Sequence, residues 1–227
     1  MSNDDVSAAV EPTQPRRVMI GTPCYDGRVS AEFMQSMLGS VGLAAQNNIM
    51  IFPVQVGHDA LVQRARNDLV NMALAANVDD LVFVDADQTW NPMGLIKLLS
   101  HKVDVVGCPV PKKSDTQIDF NVKVLPEGLG NTTDGLFDVA SVGTGMLRIT
   151  RAALKKVWDA SPEYKNNGVP CRMVFEVKIV DGELVSEDNV FCNKWRGLGG
   201  KVWLDPSMTC GHIGVKHFYN SFAKFIA

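Results

Sequence analysis

The stretch that most constrains the fold is Leu81-Val82-Phe83-Val84-Asp85-Ala86-Asp87-Gln88-Thr89. Four apolar residues without alternation, two of them β-branched, read as a strand covered on both faces, and such strands belong to α/β proteins. Two carboxylates, spaced i and i+2, stand at its carboxyl end. Ligands of open α/β sheets bind beyond that end, and paired carboxylates there suit a hard divalent cation holding a phosphate. The plainer alternative is one Asp capping a following helix and the other solvated.

The flanking sequence supports the α/β reading. Val18-Met19-Ile20 is a first strand that should break at Gly21-Thr22-Pro23-Cys24-Tyr25, before a helix over 30–46. A second strand over 49–56 precedes a helix over 59–76 with Leu61, Ala65 and Leu69 at helical spacing. Arg64 and Asn67 share another face of that helix, either solvated or reaching a ligand. Asn91-Pro92 starts a helix to about Ser100, with Pro where its missing N–H costs nothing. A fourth strand covers 103–108. Alternation of this kind predicts a mostly parallel sheet flanked by helices.

Past Pro109 the pattern changes to short β-like pieces over 118–124 and 136–142, expected as a small antiparallel region over one sheet edge. Gly143-Thr144-Gly145 leads into an apolar run, and a helix follows over 151–160. Asp181-Gly182 marks a hairpin. Ser186-Glu187-Asp188 opens a helix with acids in the first turn, where the dipole favours them. A last strand, 201–204, delivers Asp205, and glycines flank His212. Residues 1–15 read as a disordered leader, 16–227 as one domain, and 218–226 as an amphipathic tail helix.

Five cysteines without C-x-x-C spacing give no zinc motif and no complete disulfide framework, and read as reduced thiols of a cytoplasmic protein. No apolar run approaches the ~18 residues of a membrane span. A net charge of −3 provides no global field for nucleic acid.

The ordered set Gly21-Thr22-Pro23, Asp85-Ala86-Asp87, Gly143-Thr144-Gly145, Ser186-Glu187-Asp188 with Phe191-Cys192 and Lys194, then Asp205-Pro206 and Gly211-His212, resembles GT-A fold nucleotide-sugar glycosyltransferases of the family 2 type. The resemblance implies a metal-dependent transfer of a sugar from a nucleoside-diphosphate sugar, UDP favoured and GDP as the alternative, to an acceptor hydroxyl with inversion. It implies Mn²⁺ or Mg²⁺ held by Asp85, Asp87 and His212, the nitrogen ligand favouring Mn²⁺. Asp188 matches the general base of inverting members, and Glu187 the residue that orients it or the acceptor. Thr22, Pro23 and Tyr25 match the strand end that holds the base. Arg64 and Asn67 match the helix over base and ribose, and Asp85, Ala86 and Gly145 complete the donor set. No Arg-rich segment follows the Glu-Asp pair, which sets the chain apart from processive polysaccharide synthases.

Three other readings compete. Asp85-Ala86-Asp87-Gln88-Thr89 also fits the D-x-D-x-T of haloacid-dehalogenase-type phosphohydrolases, with Asp85 as nucleophile; that motif ends the first core strand, whereas here two strand-helix units precede it. A non-catalytic nucleotide-sugar binding module is the second, and a nucleotidyltransferase building a nucleotide-sugar is the third, although its usual Gly-rich, basic N-terminal loop is absent, Gly21-Thr22-Pro23 being followed by Cys24-Tyr25. The acceptor classes left open are a glycan, a metabolite, a protein or a modified DNA base, the last as in virus-encoded enzymes acting in a host cytoplasm. A basic patch of Lys112, Lys113, Arg172 and Lys194 would serve that case. Oligomeric state is not encoded in any motif.

Overall fold

The computed structural model describes residues 14–114, 119–129 and 132–214. Most of the expected leader and the whole expected tail helix lie outside the described residues.

The chain begins β1 (Arg16–Cys24), α1 (Ala31–Gln46), β2 (Ile49–Gly57), α2 (Val62–Ala75), β3 (Asp80–Val84), β4 (Gln88–Trp90), α3 (Pro92–Ser100) and β5 (Val105–Gly107). Short strands β6 (Val122–Lys123), β7 (Thr132–Thr133), β8 (Leu136–Val139) and β9 (Ser141–Val142) precede β10 (Met146–Thr150) and α4 (Arg151–Ala160). Two hairpins follow, β11 (Glu163–Asn166) with β12 (Val169–Arg172) and β13 (Lys178–Val180) with β14 (Glu183–Val185). The described chain ends in α5 (Glu187–Gly197), β15 (Val202–Leu204) and β16 (Cys210–His212).

Side-chain caps set the helix starts. Ser30 Oγ accepts from the Phe33 N–H at 3.0 Å, Asn91 from Met93 at 2.9 Å with Pro92 behind it, and Thr150 from Ala153 at 3.3 Å.

The central sheet runs β2-β1-β3-β10-β5-β15-β8-β7. β2, β1 and β3 are mutually parallel, as are β5 and β15, while β10 and β8 run against their neighbours. The sheet is therefore mixed and mostly unidirectional. β3 is buried throughout, with Leu81 and Phe83 in a core under α2, α4 and α5, and Val82 and Val84 in a second core under α1 and α3. Period-two alternation between two covered faces explains why its sequence shows no alternation.

Three details depart from the sequence reading. β1 continues to Cys24, because β2 pairs with it up to Gly57; beyond Gly21 no β3 partner remains, so Pro23 occupies a strand paired on one side, where proline is tolerated. β10 wedges antiparallel between β3 and β5. It is anchored by the fully buried Arg148, which pairs with Asp80 at 3.1 Å and donates to the His101 carbonyl at 3.2 Å. Finally, the β11–β12 hairpin turns at Asn167-Gly168, both with positive φ, as do Asp181-Gly182 of the next hairpin; such pairs match the type I′ turn of two-residue hairpins. The expected antiparallel region at one sheet edge is present: β8 and β7 extend the main sheet there, and β6 and β9 form a separate two-stranded pair. No helix among the described residues is long and apolar enough to cross a membrane.

Candidate active site

The carboxyl ends of β1 and β3, the first turn of α2 and the β4–β16 pair surround a cleft of about 620 Å³. Pro23, Tyr25, Arg66, Asp85, Ala86, Asp87, Lys113 and His212 line it. The fold places Asp85 directly after β3, with its N–H donating to the Gly145 carbonyl at 3.2 Å, so the Gly145 backbone fixes the start of the acidic turn.

Asp87 and His212 meet at the floor. β16 pairs with β4 so that His212 lies opposite Gln88, and His212 Nε2 stands 3.2 Å from Asp87 Oδ2. The other ring nitrogen, Nδ1, is 2.7 Å from the Pro111 carbonyl. A carbonyl only accepts, so Nδ1 carries the proton and donates. In the neutral ring this leaves the Nε2 lone pair directed toward Asp87, the arrangement of a metal-ligating histidine held by an outer partner. Lys113 Nζ donates to the same Asp87 oxygen at 2.6 Å. Burial raises the Asp87 carboxyl, but the hydrogen bond and charge of Lys113 oppose it, and the carboxyl is held below the ordinary carboxylate range.

Asp85 is turned the other way. Its Oδ1 accepts from Arg66 Nη2 at 2.9 Å, and Arg66 Nη1 donates to Glu187 at the start of α5. The buried guanidinium therefore joins the acidic turn to the first residue of the Glu-Asp pair, neither member of which lines the cleft. Its Nε is buried without a hydrogen-bond partner among the described residues.

Asp188 is buried, with 7% of its surface exposed. Oδ1 accepts from Ser186 Oγ and from the Asn189 N–H at 2.7 Å, and Oδ2 from Asn121 Nδ2 at 3.2 Å. Asn121 is packed so closely on Gly143 that a Cβ there would come within 2.1 Å of its amide nitrogen. Gly143 is thus required by close approach.

Several expected residues lie elsewhere. Arg64 is exposed and does not line this cleft; it forms an ion pair at 2.7 Å with Asp59, which does. Asn67 is fully buried and holds the Phe175 backbone, accepting from its N–H at 2.8 Å and donating to its carbonyl at 2.9 Å. Thr22 is buried in β1 and does not line the cleft. Among the described residues no three His, Cys, Asp or Glu side chains converge on one point; Asp87 and His212 do so as a pair, while Asp85 belongs to Arg66. The basic patch is not assembled either. Lys112 pairs with Asp119, Lys194 with Glu176, and Arg172 holds carbonyls at the end of α4, which leaves Lys113 in the cleft.

Arg66 and Asn121 were not foreseen. A signal for Arg66 existed: it shares the buried face of α2 with Leu69, Val70 and Ala73, and an arginine on an apolar face needs acidic partners. Asn121 had none, because only tertiary packing brings it to Asp188.

Sheet order and strand direction are those of a GT-A fold. Among solved structures, A197 from STIV superposes with a TM-score of 0.52 at 17% identity, covering 88% of this chain and 86% of that one. TarS residues 1–349 from S. aureus gives 0.51 at 12% identity, over 86% of this chain and 60% of that one. GalNAc-T7, solved with UDP, GalNAc and Mn²⁺, gives 0.47 at 12% identity, and this chain spans 45% of its length. No protein-family model and no curated protein matches the sequence.

Proposed function

We propose that the protein is a divalent-metal-dependent glycosyltransferase that moves a sugar from a nucleoside-diphosphate sugar, a UDP-sugar by preference, to an acceptor hydroxyl. The observation that carries this is the Asp87–His212 pair: a carboxylate oxygen and a tautomer-fixed imidazole nitrogen 3.2 Å apart on the floor of a cleft at the sheet's carboxyl edge. A two-residue donor set fits a cation that takes its remaining ligands from a diphosphate and water, as Mg²⁺ and Mn²⁺ do in phosphate sites. Asp87 and His212 would hold it, and when bound it neutralises the donor diphosphate and improves it as a leaving group. Asp85 is assigned to the ribose side instead of the metal, because Arg66 holds its carboxylate.

The chain's own residues do the rest. Lys113 sits within reach of diphosphate charge once released from Asp87. Tyr25, 71% exposed at the cleft mouth, offers a face for the nucleobase, and Pro23 and Ala86 shape the wall beside it. Arg66 fixes Asp85 and Glu187 relative to each other. The acceptor oxygen attacks the anomeric carbon opposite the diphosphate, the carbon–oxygen bond to the diphosphate breaks, and the hydroxyl proton passes to Asp188. We assign this role to Oδ2 of Asp188, whose partner among the described residues is the Asn121 amide. Attack from the face opposite the leaving group gives inversion.

The phosphohydrolase reading loses its support in a GT-A fold whose acidic turn follows the third strand and whose Asp85 is bound to a buried arginine. The test is a thermal-shift panel of UDP- and GDP-sugars and their diphosphates with and without Mn²⁺, followed by product analysis for the ligands that bind. Metal-dependent stabilisation by at least one donor is expected. Stabilisation by none would refute the reading, and binding without turnover on any acceptor class would favour the binding module.

A further inference from the structure

Among the described residues, three of the five cysteine thiols face backbone carbonyls: Cys24 that of Arg28 at 2.8 Å, Cys171 that of Asn67 at 3.6 Å, and Cys192 that of Val142 at 3.7 Å. The remaining two face each other. Cys108 Sγ and Cys210 Sγ are 2.9 Å apart, both buried in the core beneath α1 and α3, with Met146 Sδ 3.6 Å from Cys210. A disulfide measures about 2.05 Å, so closure needs a movement of less than about 1 Å.

We propose that Cys108 and Cys210 form a disulfide when the protein meets a disulfide oxidant such as oxidised glutathione. Each thiol gives up its proton, the two sulfurs together give up two electrons, and the S–S bond forms. The glutathione disulfide accepts both electrons and both protons and leaves as two molecules of reduced glutathione.

Position gives the bond its consequence. Cys108 follows β5 and leads into the loop that carries Pro111 and Lys113; Cys210 opens β16, which carries His212. The bond therefore staples the strand bearing the histidine to the loop whose carbonyl fixes that histidine's tautomer. It also closes a chain segment with a sequence separation of 102 residues, long enough for the cross-link to restrain the unfolded chain strongly. The link to the cleft rests on the function proposed above, whereas the cross-link is read with neither metal nor donor present.

The experiment incubates the full chain in buffers of graded oxidised-to-reduced glutathione, then unfolds it in excess alkylating reagent and weighs it intact. Of five cysteines, three should take label in the oxidised form and five in the reduced form. Peptide mapping should join the Cys108 and Cys210 peptides, and the unfolding midpoint should be about 5–10 °C higher when oxidised. Cys108→Ser and Cys210→Ser should each take four labels under both conditions, and Cys108→Ala/Cys210→Ala three under both. Five labels at every ratio, a cross-link mapped to another pair, or glutathione left attached to either residue would overturn the proposal. Should the single variants not fold, the wild-type peptide map alone decides.

Discussion

Arg66 joins Asp85, at 2.9 Å, to Glu187, which lies 121 residues further along the chain from the arginine. One buried guanidinium ties the acidic turn past β3 to the first turn of α5, so a single charge holds the proposed donor residue and the helix of the proposed base together. Replacing Arg66 by Met removes the partner of two carboxylates at once. Stranding buried charges costs ~3–5 kcal/mol, and because Asp85 keeps a third of its side chain exposed the expected loss is below that range, about 2–3 kcal/mol, read by urea denaturation. A double variant, Arg66→Met with Glu187→Gln, should recover part of it; no recovery would mean the ion pairs are not what stabilises this wall.

His212→Ala is expected to leave the fold stable and to weaken Mn²⁺ binding by at least tenfold, because loss of a ligand should cost no less than loss of an outer partner, at 10–100-fold. Manganese titration followed by electron paramagnetic resonance checks it. An unchanged affinity would remove His212 from the metal set.

Gly143→Ala tests the acceptor side without touching a charged group. The new Cβ would collide with Asn121, whose amide nitrogen lies 2.1 Å from its position, and Asn121 is the partner of Asp188 Oδ2. Overpacking costs ~1–3 kcal/mol, while transfer activity should fall by more than that stability loss explains. Asn121→Ala should reproduce the activity loss with a smaller effect on the midpoint. Wild-type activity in both variants would mean that Asn121 does not position Asp188.

The strand–helix alternation up to β5 was legible because hydrophobic runs and caps are local: Ser30, Asn91-Pro92 and Thr150 mark helix starts by chemistry that needs no tertiary information. The insertion of β10 was not, since its place depends on Arg148 finding Asp80 across the sheet. In the site, Asp85, Asp87 and His212 could be singled out from their strand ends and glycines, and the structure puts Asp87 and His212 side by side. The choice of Arg64 and Asn67 followed a polar helix face that turned out to hold a surface ion pair and a buried backbone clasp. The residue turned toward the cleft, Arg66, lies on the face the apolar periodicity had assigned to the core.

Acid stability should depend on Asp205. Burial raises this carboxyl, but Ser207 and His101, at 2.8 Å, outweigh burial and hold it below its ordinary value. A depressed folded value means the stabilisation is present above the unfolded value of about 3.9 and is lost as pH falls through the lower folded value. Asp205→Asn should therefore reduce stability at neutral pH and flatten the decline below about pH 4 in a denaturation series. A parallel decline in both proteins would contradict this.

The most direct test of the central claim is a calorimetric titration of UDP into the protein with and without Mn²⁺, repeated on Asp87→Asn. If Asp87 and His212 hold the cation against a donor diphosphate, Mn²⁺ should tighten UDP at least tenfold, about 1.4 kcal/mol, and the substitution should abolish that gain while leaving weak metal-free binding. UDP or GDP affinity that ignores both the metal and the substitution, or no binding of either nucleotide, would contradict it.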